Sequence, residues 1–322
     1  MSSSRLNIVF LDRSTIPPWV RIKGLSVPHE LMLFDTTSPA EVAARIASAD
    51  VVITNKVKIT AAALSEAERL KLIAVAATGF DNVDLAACAA RDIAVCNVRN
   101  YAVRSVPEHV FALIFSLRRS LTAYHQAVQN GRWAQSGQFC FFDFPILGLS
   151  QSTIGIIGDG AIGKATAKIA DGLGLRVLFS GHKGRPVKSS AYTPFEEVLR
   201  AADIITFHCP LNSETADMIG DAEFAQMTRK PILINTARGG IVNEQALVRA
   251  LLSNQISGAG FDVVTQEPLP DDHPFTTILA HPGFMLTPHV AWASEEAIQT
   301  LAEQLIDNID AYLRGSPKNL VT

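Results

Sequence analysis

The sequence predicts an α/β protein of two doubly wound units, one inserted into the other, and three observations predict it. Short β-branched, apolar stretches alternate with helical segments along all 322 residues, the pattern of parallel sheets with crossover helices. A glycine signature, Ile154-Gly155-Ile156-Ile157-Gly158-Asp159-Gly160-Ala161-Ile162-Gly163, falls in mid-chain rather than near the start. Amphipathic segments over 103–129 and 295–313 flank the second series of strands.

Taken in order, the first series has strands near 6–11, 32–34, 51–54, 72–76 and 94–97. One long helix follows over 103–129, with apolar residues at 103, 106, 110, 113, 114, 117, 121, 124 and 128. Pro107 is tolerable because it lies near the first turn. The second series starts at Thr153 and continues near 177–180, 204–208, 232–236, 259–263 and 285–287. The 295–313 helix is expected to pack back on the first unit. A glycine signature of this kind usually opens its domain. The economical arrangement is therefore a substrate domain made of 1–101 and 290–322, with a nucleotide-binding domain, 102–289, inserted between two hinges. Both are expected to be Rossmann-like or flavodoxin-like, with ligands at the carboxyl ends of the strands.

Bulk properties narrow the class of function. A hydrophobic share of 48% against 18% charged residues describes a well-buried globular protein. The formal net charge of −3 gives no reason to expect a nucleic-acid or anionic-membrane partner. Met1-Ser2-Ser3-Ser4-Arg5 runs straight into a strand-like stretch, which is not the pattern of a signal peptide. Cys88, Cys96, Cys140 and Cys209 form no C-x-x-C pair and read as the thiols of a reduced, cytoplasmic protein. With no H-E-x-x-H pattern either, no metal is expected.

The glycine signature carries a definite chemistry. Gly158 permits a tight turn, Gly160 lets backbone approach a pyrophosphate, and Gly163 lets the following helix pack closely on the strand. The N–H groups of Gly160, Ala161 and Ile162 then face the phosphates. Three further charged or titratable residues follow predicted strands: Arg238, Glu267 and His289. An arginine fork can hold a carboxylate and polarise a carbonyl, and a histidine beside a carboxylate can exchange a proton near neutral pH. Singly, Arg238 reads as a surface residue at a helix start, Glu267 as a loop acid before proline, and His289 as a core imidazole. Their order beside a nucleotide fold favours a joint catalytic role.

These pieces resemble one family over nearly the whole chain. They are Thr78-Gly79-Phe80-Asp81-Asn82-Val83-Asp84, Val106-Pro107-Glu108-His109, the glycine signature, His208-Cys209-Pro210-Leu211, Asn235-Thr236-Ala237-Arg238-Gly239-Gly240, Gly260-Phe261-Asp262-Val263, Glu267-Pro268 and Thr287-Pro288-His289. The chain is similar to the D-isomer-specific 2-hydroxyacid dehydrogenases. Within them, Gln138-Phe139-Cys140-Phe141-Phe142-Asp143-Phe144-Pro145 and His289-Val290-Ala291-Trp292-Ala293-Ser294 are most similar to bacterial glycerate dehydrogenases, also called hydroxypyruvate reductases. The resemblance implies His289 as acid/base, Glu267 as its partner and Arg238 as substrate anchor. It implies that backbone at Ala77, Thr78 and Gly79 holds the substrate carboxylate. It implies dinucleotide contacts from Cys209, Pro210, Thr236, Ala237 and His289, with Asp262 near the nicotinamide carboxamide. It further implies reversible hydride transfer at C2 of hydroxypyruvate or glyoxylate, and a homodimer with the 103–129 region at its interface. Another 2-hydroxy acid is the nearer alternative. A nucleotide-sensing corepressor shares the fold, but this chain carries no long terminal extension of the kind such proteins normally have.

One departure bears on the cofactor. NAD-specific proteins of this fold place an acid about 20 residues past the glycines to bind the ribose 2′-hydroxyl. No Asp or Glu lies between Asp171 and Glu196, whereas Arg176, His182, Lys183, Arg185 and Lys188 do. Ser180, Lys183 and Arg185 are therefore expected to accept a 2′-phosphate, favouring NADP(H) over NAD(H). The other reading makes them a solvated loop. The sequence leaves the direction of Asp159 open. Pro107 stands where the family commonly has alanine. Asn55 and Lys56 read as a solvated loop at a strand end, and the phenylalanine-rich 137–149 segment as packing, a dimer contact or a lid.

Overall fold

The structure is a computed structural model that describes residues 5–321. Two compact units divide the chain, Met1–Ala102 with Ala293–Thr322, and Val103–Trp292. The borders differ from the expected ones by a few residues. Residues 290–292 go with the second unit because the Val290 and Ala291 N–H groups donate to Asp262 and the Trp292 carbonyl accepts from Ser105.

The first unit holds β1 (Leu6–Phe10), β2 (His29–Leu33), α1 (Val42–Ile46), β3 (Val51–Thr54), α2 (Ala61–Ser65), β4 (Leu72–Val75), α3 (Leu85–Ala89) and β5 (Ala94–Asn97). Its strands are all parallel, in the order β2-β1-β3-β4-β5. Every residue of β3 and β4 is buried, which is why Val51-Val52-Ile53 and Leu72-Ile73-Ala74-Val75 run apolar without alternation. β2 begins three residues before the predicted strand. It is an edge strand paired only with β1, so His29 and Glu30 can stay polar within it. The Thr60 and Asp84 side chains accept the Ala63 and Ala87 N–H groups and start α2 and α3, caps worth about 1 kcal/mol each.

The second unit opens with α4 (Ser105–Arg118), α5 (Leu121–Gln129) and α6 (Arg132–Ser136). The single predicted helix over 103–129 is thus two helices. Ser120 takes a left-handed conformation, φ +49°. Its hydroxyl donates to the Pro145 carbonyl, and the Leu147 N–H donates to the Arg118 carbonyl, so the 145–147 segment occupies the break. Pro107 is the third residue of α4, where a missing N–H costs no helical bond.

Strands and helices then alternate: β6 (Thr153–Ile157), α7 (Ala161–Gly172), β7 (Arg176–Phe179), α8 (Phe195–Ala201), β8 (Ile204–Phe207), α9 (Asp221–Phe224), β9 (Ile232–Asn235), α10 (Glu244–Leu252), β10 (Gly258–Phe261) and β11 (Phe284–Leu286). The parallel sheet has the order β11-β10-β9-β8-β6-β7. α4 packs on β9 and β10, and Gly260 makes room for it: a Cβ there would meet the Leu113 Cβ at 3.1 Å. The connection order reverses beside β6, so the glycine turn opens at the topological switch point where such sheets bind ligands. The last helix, α11 (Glu295–Leu313), is capped by Ser294 and lies against β4 and β5 of the first unit. Among the described residues no helix is long and apolar enough to cross a membrane.

Candidate active site and dinucleotide cradle

The glycine turn has the shape that its spacing predicts. Gly158 adopts φ +107°, which favours glycine, and a Cβ on it would lie 2.5 Å from the His208 carbonyl oxygen. A Cβ on Gly163 would lie 2.0 Å from the Gly158 carbonyl oxygen. A Cβ on Gly160 would meet nothing within 4 Å. Two glycines therefore let the turn close on itself, and the third leaves the first turn of α7 open to a ligand. Farther along the strand ends, the buried Thr236 hydroxyl has no hydrogen-bond partner among the described residues. An open helix N-terminus and an unpaired donor at a strand end fit a dinucleotide bound across this sheet.

A cavity of about 820 Å³ runs from this turn past the end of β7. It is lined by six of the residues expected to touch the dinucleotide: Gly158, Ser180, Lys183, Arg185, Cys209 and Pro210. Ala237, Asp262 and His289, together with Thr236, lie beyond its lining, after β9, β10 and β11. The basic residues are engaged with the protein. Lys183 donates to the Met218 carbonyl at 2.8 Å and pairs with Glu223 at 2.8 Å. Arg185 pairs with Glu214, both side chains being more than half exposed. Asp159, whose direction the sequence leaves open, accepts the Tyr192 hydroxyl at 2.6 Å. That bond holds the Asp159 carboxyl below its usual range and pushes the Tyr192 hydroxyl up. Burial pushes the Cys209 thiol up to about 11, so it faces the cavity as a neutral group.

The three charged residues follow three neighbouring strands. Arg238 comes after β9, Glu267 after β10 and His289 after β11, and these strands adjoin in that order. The His289 Nδ1 lies 2.7 Å from Glu267 Oε2. A carboxylate beside Nδ1 requires a proton on that nitrogen, which leaves Nε2 for a ligand; among the described residues Nε2 has no partner. Arg238 is half-buried, with one guanidinium nitrogen on the Ala237 carbonyl. Its loop is held by Asn235, which accepts the Ala237 N–H and donates to the Arg238 carbonyl. Next to it, a Cβ on Gly239 would lie 2.0 Å from the carbonyl carbon of Val264. Gly239, next to Arg238, thus lies against the backbone of the loop that carries Glu267. Asp262 is buried and takes the Thr287 hydroxyl and the Val290 and Ala291 N–H groups.

In the first unit, Ala77, Thr78 and Gly79 follow β4. The Thr78 hydroxyl donates to the Val98 carbonyl, and Asn97 donates to the Thr78 carbonyl. The N–H groups of Thr78 and Gly79 find no protein acceptor among the described residues. The solvated-loop reading fails at Asn55. That residue is buried, and the Asn55, Lys56 and Val57 N–H groups converge on the Asp12 carboxylate. Burial nevertheless raises the Asp12 carboxyl above its usual range. Tyr192, Glu223, Glu244 and His273 carry no sequence signal, since each acts through a partner remote in sequence. His109 lies in a recognised motif; its Nε2 is 2.9 Å from the Thr287 hydroxyl.

Residues 111–291 match the family described as D-isomer specific 2-hydroxyacid dehydrogenase, NAD binding domain. The chain is 47% identical to a glycerate dehydrogenase of Methylorubrum extorquens over 315 residues, 98% of each chain. It is 34% identical to a hydroxypyruvate reductase of Blautia hydrogenotrophica, covering 98% of this chain and 99% of that one. A solved structure of an NADPH-dependent glyoxylate/hydroxypyruvate reductase from Sinorhizobium meliloti, in complex with NADP and malonate, superimposes with a TM-score of 0.84 at 27% identity. That match covers 99% of this chain and 97% of the other. With a dinucleotide turn at the switch point and a histidine–carboxylate pair on the two strands next to the arginine's, the chain belongs to the D-isomer-specific 2-hydroxyacid dehydrogenase family.

Proposed function

We propose that this enzyme reduces the C2 carbonyl of hydroxypyruvate and glyoxylate to D-glycerate and glycolate, and runs the reaction in reverse on the hydroxy acids. The observation that carries this reading is the 2.7 Å contact between His289 and Glu267 at the strand ends beside Arg238. Similarity to the glycerate dehydrogenase and hydroxypyruvate reductase supports the choice of acid.

When bound, the dinucleotide supplies the hydride that reduces C2. Backbone N–H groups of Thr78 and Gly79, with Ala77, hold the substrate carboxylate. Arg238 binds the substrate and stabilises negative charge growing on the C2 oxygen. Protonated His289 gives that oxygen its proton from Nε2, while Glu267 at Nδ1 orients the ring. In the oxidative direction the neutral ring takes the proton back. Gly158, Gly160, Ala161, Ile162 and Gly163 form the pyrophosphate cradle, and Cys209, Pro210, Thr236 and Ala237 line the path to the nicotinamide.

NADP(H) is the favoured cofactor. No acid follows β7, and Ser180, Lys183 and Arg185 line the cavity past the end of that strand, where they would meet a 2′-phosphate. The NADPH-dependent relative supports the same choice. The active form is a homodimer. Trp133, Phe139 and Phe142 are at least half exposed on the second unit, and a second copy would cover them. Steady-state reduction of hydroxypyruvate, glyoxylate, pyruvate and phenylpyruvate, each with NADPH and NADH, tests the reading. The expected result is the highest kcat/KM for hydroxypyruvate and glyoxylate with NADPH. Preference for another oxo acid would overturn the substrate assignment, and strong preference for NADH the cofactor assignment. Sedimentation velocity tests the dimer.

A further inference from the structure

Glu244 is a buried carboxylate that the reaction does not use. It is the first residue of α10 and only 8% exposed, yet it takes three donors. Its Oε1 accepts the Thr265 N–H at 2.8 Å. Its Oε2 accepts the Thr265 hydroxyl at 2.6 Å and His273 Nε2 at 2.9 Å. The state of His273 follows from its other nitrogen. Nδ1 accepts the Phe275 N–H at 3.1 Å and so carries no proton, which puts the proton on Nε2. The imidazole is thus a neutral donor, packed edge-on against buried Phe275 with ring centroids 4.9 Å apart.

This cluster leads directly to the site. Thr265 lies two residues before Glu267. Val264 rests on Gly239, next to Arg238, and its N–H donates to Glu267 Oε1 at 3.2 Å. The opposite oxygen of Glu267 meets His289. One continuous set of bonds joins the start of α10 to the imidazole.

We propose that Glu244, oriented by His273, is a positioning residue for catalysis, and that it fixes the 264–267 loop so that Glu267 faces His289. This rests on reading His289 and Glu267 as the acid/base pair. Only a carboxylate suits the place, because all three groups aimed at Glu244 donate. A glutamine must turn its NH2 group toward at least one N–H that now donates to Glu244, the Thr265 N–H or His273 Nε2.

The test compares Glu244→Gln, His273→Gln, His273→Leu and Glu267→Gln in the holoenzyme, measuring kcat, KM and the pH profile of reduction. Reduction consumes the proton that His289 donates, so the rate falls in alkali, and Glu267→Gln supplies the reference change in that alkaline limb. Glu244→Gln and His273→Leu are expected to lower kcat about tenfold, leave the dinucleotide KM unchanged and shift the limb as Glu267→Gln does. His273→Gln keeps a donor at the Nε2 position and is expected to behave like the parent. Should Glu267→Gln shift the limb while Glu244→Gln leaves it in place, the brace is refuted and the acid/base reading stands. A limb that stays put even in Glu267→Gln overturns the acid/base reading, and the brace with it.

Discussion

The Asp262 carboxylate accepts the Ala291 N–H at 2.8 Å, and that bond helps to fix the turn on which His289 stands. His289 has φ +55°, a left-handed conformation costing about 1 kcal/mol or more for a residue with a Cβ. Asp262 is 1% exposed and receives the Val290 N–H and Thr287 hydroxyl as well, so it holds the chain on both sides of the strained residue.

Replacing Asp262 with alanine should therefore act on the turn first. Three donors lose their acceptor, and the buried Ala291 N–H alone costs about 1–3 kcal/mol. The expected outcome is a lower Tm together with a kcat reduced at least about tenfold, because the His289 ring is no longer held in place. Thermal melting and single-turnover kinetics check it. If Asp262 served only to contact the carboxamide, dinucleotide affinity would fall while Tm stayed level.

The fingerprint glycines should separate stability from binding. In Gly163→Ala the new methyl meets the Gly158 carbonyl, so the helix must move away from the strand and Tm should fall. Gly160 has an ordinary φ of −65° and open space around it. Gly160→Ala should therefore melt like the parent and yet bind NADPH more weakly, since its methyl stands where the pyrophosphate approaches. Calorimetric melting and fluorescence titration with NADPH distinguish the two variants.

How far the sequence reaches is plain from these same residues. The turn at Gly158–Gly163 is local, and its spacing alone specifies where a side chain cannot fit. Arg238, Glu267 and His289 stand out because each follows an apolar strand. That β9, β10 and β11 are neighbours is a property of the whole sheet, and no local pattern carries it. The break at Ser120 is hidden because the apolar stripe continues across it, while the bonds that settle it come from Pro145 and Leu147. Lys183 and Arg185 are legible as basic residues, but their partners Glu223 and Glu214 lie on other segments. Glu244 and His273 look like an ordinary helix acid and a loop histidine until burial brings them together.

Acid sensitivity should trace in part to His208. Burial pushes this imidazole down from 6.5 to about 4, with the Thr206 hydroxyl 3.1 Å from its Nε2. The folded state therefore resists a proton that the unfolded chain accepts. Stability from this group is complete above pH 6.5 and is lost as pH falls toward 4, by about 3 kcal/mol at most. His208→Gln should flatten the dependence of unfolding free energy on pH across that window. Urea titrations at half-unit intervals of pH would show it; an unchanged slope would assign the acid loss to other groups.

Cofactor preference should depend more on Arg185 than on Lys183. Arg185 pairs with Glu214 at the surface, where an ion pair contributes little and opens readily to a phosphate. Lys183 is tied to the Met218 carbonyl and to Glu223, a mostly buried acid that also accepts the Gly220 N–H. Arg185→Ala is expected to lower kcat/KM for NADPH about tenfold or more and to leave NADH nearly untouched, the loss of a charged hydrogen bond. Glu214→Ala frees the guanidinium and should raise the NADPH to NADH ratio. Lys183→Ala should shift that ratio less and lower Tm instead, because it strips Glu223 of its counter-charge. Equal ratios in the parent and in Arg185→Ala would mean that the 2′-phosphate is read elsewhere, with Ser180 the next residue to change.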